Sequence, residues 1–135
     1  MKLRAVFSVI AVSVLASCQS EPAGGPLKIE ISAAGPVSAL QVVNANGQRC
    51  WMKSGDRAFR KYRLIPELDT RTGKPRILLL NAGQTGGLPV LVIESDDAPV
   101  TIITYGPLTS ASLSARINRD IERWSVGDSR CSAKA

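Results

Sequence analysis

The chain has 135 residues, of which 44% are hydrophobic and 4% aromatic, and its formal net charge is +6. A chain of this length accommodates one small domain rather than two. Histidine is absent, which removes the most frequent general base and the most frequent metal ligand. No nucleophile motif or phosphate-binding loop stands out. We therefore expect no catalytic residues, no metal site and no cofactor, and we predict that the protein is not an enzyme.

The chain begins with a pattern typical of a secretory signal peptide. Lys2 and Arg4 precede an uncharged, mainly apolar run over residues 5–15. The run is shorter than the ~20 residues that a helix needs to cross a bilayer, and it ends in small residues rather than in a basic cluster. A signal peptide over residues 1–17 is therefore favoured over a permanent transmembrane helix.

The signal ends in Leu15-Ala16-Ser17-Cys18, which resembles the lipobox of bacterial lipoproteins. The resemblance implies that Cys18 receives diacylglycerol and, after cleavage, becomes the first residue of a lipid-anchored protein. Gln19 in the next position implies delivery to the outer membrane, with the domain facing the periplasm. Two or more acyl chains, such as palmitate, hold a protein stably on a bilayer. The alternative is an ordinary signal peptide followed by a cysteine that is there by chance.

A flexible tether is predicted over residues 18–26, because the Pro and Gly residues of this stretch disfavour packed elements. Residues 27–135 then form a single small domain. Without Lys2 and Arg4 the net charge of +6 falls to +4, which is mild. The predicted compartment excludes nucleic acid as a partner. It leaves the membrane, reached through the lipid anchor, and an envelope protein.

The other two cysteines are predicted to pair. Cys50 and Cys131 are the only thiols left once Cys18 is acylated, and an oxidising compartment permits a disulfide. The bond would close a loop of about 80 residues, for which chain entropy gives an upper figure of about 4.5 kcal/mol. The alternatives are two free thiols or a metal pair, although no histidine is available to complete a zinc site.

The first part of the domain holds one weak strand and one helix. Residues 27–32 alternate apolar and polar side chains, which indicates an edge strand, although they could also end the tether. The apolar positions that follow fit a helical stripe beginning at about Val37. Asn46-Gly47 interrupts this stripe, so we expect the helix to bend or restart near Gly47.

Four strands follow in the middle of the chain. From Phe59 the period is two, and after a polar turn come two stretches that are apolar on both faces, 76–80 and 90–93. A turn at 96–99 leads into the strand 100–105. We predict an antiparallel meander of at least four strands.

The clearest helix lies near the C-terminus, where apolar residues recur at helical spacing and charged residues occupy the other side. The apolar positions are Leu113, Ile117, Ile121 and Trp124, and the charged ones are Arg116, Arg119, Glu122 and Arg123. Thr109 or Ser110 can cap its start and Gly127 its end. The predicted fold class is therefore α+β: an antiparallel meander of about four strands, packed by this helix and by the N-terminal helix from Val37.

Two expectations concern the core. One helix covers only one face of a sheet, so the second face needs cover from residues 37–53, from a partner or from a second copy. Trp51 and Trp124 are expected in the core near the predicted disulfide. The alternative for these rings is an aromatic platform for a ligand.

A basic block precedes and enters the first strand of the meander. Its cations are Lys53, Arg57, Arg60, Lys61 and Arg63. Arginine binds phosphate through a planar fork and stays charged, so the block is a candidate site for lipid phosphate or another anionic envelope polymer. The alternative is a solvated strand face that is partly paired with nearby acids. Those acids are Asp56, Glu67 and Asp69.

Other candidate sites are weaker. Ser54 and Asp56 adjoin Lys53, a combination that serine–lysine hydrolases use, but adjacent residues do not point at each other and no oxyanion motif is present. The acids of residues 94–97 could hold a divalent cation, yet acids are common in turns. Neither group changes the expectation that the protein has no catalytic and no metal site.

Several short motifs extend the resemblance beyond the lipobox. They are Cys50-Trp51-Met52-Lys53-Ser54-Gly55-Asp56, Tyr62-Arg63-Leu64, Pro66-Glu67-Leu68, Gly73-Lys74-Pro75-Arg76-Ile77, Gly106-Pro107-Leu108 and Arg123-Trp124. Together they resemble a group of small uncharacterised envelope lipoproteins of alphaproteobacteria, which implies no activity. We expect an anchored envelope protein with a non-catalytic interaction or structural role. The alternatives are a module that binds an anionic envelope ligand and an inhibitor of a cell-wall hydrolase.

Overall fold

The computed structural model describes residues 22–69, 71 and 73–134. The predicted signal peptide and Cys18 lie outside the described residues. The elements, in chain order, are β1 (Lys28–Glu30), α1 (Pro36–Gly47), a π-helical turn (Gln48–Met52), β2 (Tyr62–Glu67), β3 (Arg76–Asn81), β4 (Leu91–Asp96), β5 (Thr101–Tyr105), a 3₁₀ helix (Pro107–Ser110) and α2 (Leu113–Ser125). These strands and helices confirm the predicted α+β class.

The five strands form one antiparallel sheet in the order β1-β5-β4-β3-β2. Strands β2 to β5 are the predicted meander, in which each strand pairs with the one before it in the chain. β1 adds a fifth strand at the edge, where Ile29 pairs with Ile102 of β5. The stretch 27–32 therefore contains an edge strand and is not merely the end of a tether.

Both helices pack on one face of the sheet, which we call the inner face. Alternate strand residues and the apolar stripes of α1 and α2 join in one hydrophobic cluster. Its fully buried members include Leu40, Val43, Ile77, Leu79, Leu91, Ile93, Ile102, Ile117 and Ile121. Burying each such side chain is worth about 1.5–3 kcal/mol, so apolar packing is what holds the helices to the sheet.

The opposite face of the sheet, the outer face, is covered by neither α1 nor α2. Val92 is 7% exposed there, and its partners on the neighbouring strands are Leu78 and Tyr105. Beside this apolar strip, Arg76 Nε lies 2.7 Å from Glu67 Oε2. The segment containing α1 was one predicted cover for this face, but α1 packs on the inner face instead.

The α1 helix starts and ends for local reasons. Pro36 occupies the first turn, where its missing N–H costs nothing. The irregularity expected near Gly47 takes the form of the π-helical turn, in which Lys53 N–H donates to the carbonyl of Gln48 at 3.0 Å. A Cβ atom on Gly47 would lie 2.9 Å from Leu64 Cδ2. Glycine at this position therefore lets the helix approach β2 closely.

The predicted start of the first meander strand at Phe59 is wrong, because β2 begins at Tyr62. Phe59 instead belongs to a turn in which its N–H donates to the carbonyl of Asp56 at 3.2 Å. Its ring is 1% exposed and stacks on Trp51 with the centroids 5.2 Å apart. The predicted strand began too early because Phe59, although apolar, anchors a turn to the core and does not belong to a strand.

The predicted caps of α2 are half right. Thr109 and Ser110 do not cap it, because they belong to the preceding 3₁₀ helix, and Ser112 occupies the cap position without a side-chain hydrogen bond. Gly127 does end the helix: its φ of 90° is one that glycine adopts without strain, and its N–H donates to the carbonyl of Trp124 at 3.1 Å. No helix among the described residues is both long and apolar enough to cross a membrane.

Candidate functional site

A disulfide joins the end of the first helical region to the segment after α2. Cys50 and Cys131 are bonded with their Cα atoms 5.2 Å apart. Arg49 lies over the bond, with Nη1 donating to Cys131 Sγ at 3.1 Å and Nη2 to Asn46 Oδ1 at 2.8 Å. The bond therefore ties the end of the first helical region to the C-terminal segment.

Three buried rings lie beside this disulfide. Trp51 and Trp124 are each 1% exposed, and their centroids are 4.9 Å apart. Phe59 stacks on the other side of Trp51. The expectation that both tryptophans belong to the core is confirmed, and neither ring offers a face to a ligand.

A buried charge cluster that was not predicted from the sequence lies beside these rings, and we call it the Asp120 cluster. Asp120 is 0% exposed and accepts hydrogen bonds from Trp51 Nε1 at 2.8 Å, Arg123 Nη2 at 2.7 Å and the Ser132 hydroxyl. These donors come from the π-helical turn, from α2 and from the C-terminal segment. Asp120 therefore holds three parts of the chain together.

Arg116 completes the Asp120 cluster from the side of the loop before β2. Its Nη2 lies 2.6 Å from Asp56 Oδ2, its Nε lies 4.0 Å from Asp120 Oδ2, and its guanidinium lies 5.2 Å from the centre of the Phe59 ring. The sequence placed Arg116 on the polar side of α2, but the residue is 9% exposed. That expectation is wrong because two buried carboxylates compensate its charge.

The residues weighed as a serine hydrolase site have structural roles. The Ser54 hydroxyl donates to the carbonyl of Cys50 at 2.7 Å, and Asp56 is engaged with Arg116. In the acidic turn, Lys74 Nζ lies 2.5 Å from Asp96 Oδ2 and holds the pKa of that carboxyl below its ordinary value by donating a hydrogen bond. Among the described residues, no group of three acidic or cysteine side chains could hold a metal ion.

Most of the predicted anion site lies together on one exposed loop. Lys53, Arg57, Arg60 and Lys61 are all exposed in the stretch between the π-helical turn and β2, and we call this stretch, residues 53–61, the basic loop. Arg63 is separate: it lies on β2, is half-buried, and donates to the carbonyl of Gln84 at 3.0 Å. The loop thus presents four of the five predicted cations.

The acids that were expected to neutralise the basic block are engaged with other cations. Asp56 pairs with Arg116, Glu67 with Arg76, and Asp69 with Arg71. The four cations of the basic loop make no ion pair with any described residue. One of them, Lys61, lies over the ring of Tyr62 at 5.2 Å from its centre. The basic loop therefore carries a local excess of positive charge.

The last residues of the predicted tether are packed against α2. Gly24 N–H donates to Ser114 Oγ at 2.8 Å, and Asn118 Nδ2 donates to the carbonyl of Gly25 at 3.0 Å. A Cβ atom on Gly24 would lie 2.5 Å from the Cα atom of Ala115. The chain therefore enters the domain across the first two turns of α2, at a point where only glycine fits.

Two concave surfaces lie near opposite ends of α2. A cleft of about 390 Å³ separates the basic loop from the start of the helix. It is lined by Ala58, Lys61, Tyr62, Leu108, Ala111, Ser112, Leu113 and Arg116. A larger apolar groove of about 710 Å³ lies at the end of α2, between Ile31, Val42 and Val126. The basic loop and the tether thus share the first end of α2, and the apolar groove lies at the other.

No family model, no curated protein and no solved structure matches the chain. The geometry of the described residues is therefore the basis for a functional proposal. It offers one exposed loop whose cations have no acidic partner among the described residues, beside a domain whose buried charged groups are paired with one another.

Proposed function

We propose that this chain is a lipid-anchored protein of the bacterial envelope with a non-catalytic interaction role. The lipid is on Cys18, the membrane is the outer membrane, and the domain faces the periplasm. The lipobox resemblance supports the anchor. We propose further that the basic loop is the interaction surface and binds an anionic envelope ligand, either lipid phosphate or acidic glycan.

A single observation carries the choice of ligand. Four exposed cations within one loop have no acidic partner among the described residues, while the nearby acids are already paired. An anion that binds here gains charge-assisted hydrogen bonds without first breaking an ion pair of the protein. The attraction is long-range and weakens as salt is added.

The anchor is tested by mass spectrometry and by fractionation. The mature protein should begin at Cys18, carry a diacylglycerol adduct there and contain no free thiol. A Cys18→Ser variant should be released or mislocalised, with its domain still folded. A variant that reaches the outer membrane as the parent does would count against anchoring through Cys18.

The ligand is tested with the unanchored Cys18→Ser protein on a dextran sulfate column. Changing Lys53, Arg57, Arg60 and Lys61 to Ser should move elution to a much lower salt concentration, because about four counterion contacts are lost. The matched control changes Arg71, Lys74, Arg76 and Arg130 to Ser, which removes the same charge from exposed cations that are already ion-paired. Equal shifts for both variants would show that only net charge matters and would refute a localised site.

The remaining roles named from the sequence, docking on an envelope protein and inhibition of a cell-wall hydrolase, stay predictions. No described feature favours either of them specifically.

A further inference from the structure

The start of α2 contacts both the tether and the basic loop. On one flank, Gly24 and Gly25 are hydrogen-bonded to Ser114 and Asn118. On the other flank, Arg116 holds the loop through Asp56, and the 390 Å³ cleft runs between the loop and the first turn of the helix. The entry of the chain and its unpaired cations are thus separated only by the first turns of one helix.

The length of chain before Gly24 limits how far the domain can move from its anchor. Five residues lie between Cys18 and Gly24, so six residue steps join the two, and these span at most about 22 Å when fully extended. Because Gly24 is fixed on α2, the first turn of this helix stays within that distance of a lipid on Cys18. The other end of α2, near Val126, lies about 16 Å farther along the helix axis.

We propose that the basic loop binds the anionic headgroups of the same membrane that holds the lipid on Cys18. The protein then lies with the start of α2 toward the bilayer and with the apolar groove at Val126 directed away from it. This inference rests on the proposed anchor and on the proposed anion binding. It adds the identity of the ligand, lipid phosphate, and the orientation of the domain.

Charge and distance together support this orientation. Coulombic attraction to a charged surface extends about one Debye length, 8–10 Å at physiological salt. A tether that spans at most about 22 Å allows the flanks of the start of α2 to come within that range of the bilayer, whereas a free glycan would need no such placement. Each Lys or Arg close to an anionic bilayer strengthens binding about fivefold, and the loop supplies four of them.

The experiment uses the full lipidated chain in vesicles and the reactivity of its lysines as reporters. The mature chain has five lysines, at positions 28, 53, 61, 74 and 134. Each is acetylated with a water-soluble reagent and its rate is followed by mass spectrometry, in vesicles of phosphatidylcholine alone and in vesicles rich in phosphatidylglycerol. Lys53 and Lys61 should react at least about fivefold more slowly in the anionic vesicles, while Lys134 keeps its rate.

Two controls sharpen the result. Raising salt to about 1 M shortens the Debye length to about 3 Å and should restore the rates of Lys53 and Lys61. An Arg57→Ser, Arg60→Ser double variant keeps both reporter lysines and should lose most of their protection. Because both arginines are exposed, these substitutions leave the core intact, which circular dichroism can verify.

The outcomes separate this inference from the function on which it rests. Equal rates in the two vesicle types, or equal protection of all five lysines, would overturn the orientation. If the unanchored protein still binds dextran sulfate through the basic loop in that case, anion binding survives and the ligand is not the anchoring membrane. If the unanchored protein does not bind, the proposed function itself has failed.

Discussion

The Asp120 cluster and the basic loop both contain charged residues, but those of the cluster are buried and paired, whereas the cations of the loop are exposed and, in the described part of the chain, unpaired. In the cluster, two carboxylates and two guanidiniums lie next to the core, and each charge has an opposite charge within 4.0 Å. In the loop, four cations lie in solvent with no acidic partner among the described residues. The two regions are nonetheless adjacent, because Asp56 is part of the basic loop and also pairs with Arg116.

Buried charges and exposed charges have different roles in this protein: the former stabilise the fold and the latter remain available for binding. A buried charge must be paired, since leaving it alone costs several kcal/mol. An exposed cation costs almost nothing to keep and contributes little to stability. We therefore expect mutations in the cluster to unfold the domain and mutations of the loop cations to change only what it binds.

The largest effect is expected from removing Asp120. An Asp120→Ala change leaves Trp51 Nε1 without its acceptor and removes a buried carboxylate partner from both Arg123 and Arg116. Breaking a buried ion pair in this way costs about 3–5 kcal/mol, which urea denaturation of the unanchored protein would measure. An Asp128→Ala change at a partly exposed position serves as control and should cost less than about 1 kcal/mol. Similar losses of stability in the two variants would contradict the expectation that the buried carboxylate of Asp120 contributes more than the partly exposed one of Asp128.

The next effect concerns the disulfide. Changing Cys50 and Cys131 together to Ala should lower the free energy of unfolding by about 2–4 kcal/mol. Without the bond, the unfolded chain is no longer closed into a loop and gains conformational entropy. Reducing the parent protein should give the same loss, and the denaturation midpoint is the measurement. A reduced protein as stable as the oxidised one would show that the hydrogen bonds of the Asp120 cluster alone secure the C-terminal segment.

The smallest effect is a pH dependence at the C-terminal segment. Hydrogen bonds from Arg130 lower the pKa of Asp128 to about 2 from its ordinary value of 3.8. A carboxyl whose pKa is lower in the folded state stabilises it above pH 4, and this contribution fades as the pH falls through about 2. The difference in melting temperature between the parent and Asp128→Asn should therefore shrink on acidification and with added salt. A difference that widens toward pH 2 would reverse the sign of this linkage.

Regular patterns explain what the sequence could predict. The continuous apolar stretches 76–80 and 90–93 placed β3 and β4, and the spacing of Ile117, Ile121 and Trp124 placed α2. Counting thiols suggested the pair that the structure joins, Cys50 and Cys131. These features can be predicted from a single sequence, because they depend on local periodicity or on the small number of cysteines.

The Asp120 cluster depends on contacts between distant parts of the chain, and it was therefore missed. One signal was nevertheless present: Asp120 lies three residues after Ile117 and four before Trp124, on the apolar stripe itself. A carboxylate at such a position needs a buried partner, and Arg116 stands four residues earlier. The prediction of a strand at Phe59 failed for the same reason. The Phe59 ring is buried by Trp51 and not by a neighbouring strand.

Stability and anion binding can be measured on one pair of unanchored proteins, the parent and the fourfold Ser variant of Lys53, Arg57, Arg60 and Lys61. We expect the variant to lose retention on dextran sulfate while its free energy of unfolding stays within about 0.5 kcal/mol of the parent, as for exposed substitutions in general. A variant that loses several kcal/mol of stability, or one that binds as the parent does, would contradict the division between charges that fold the domain and charges that bind.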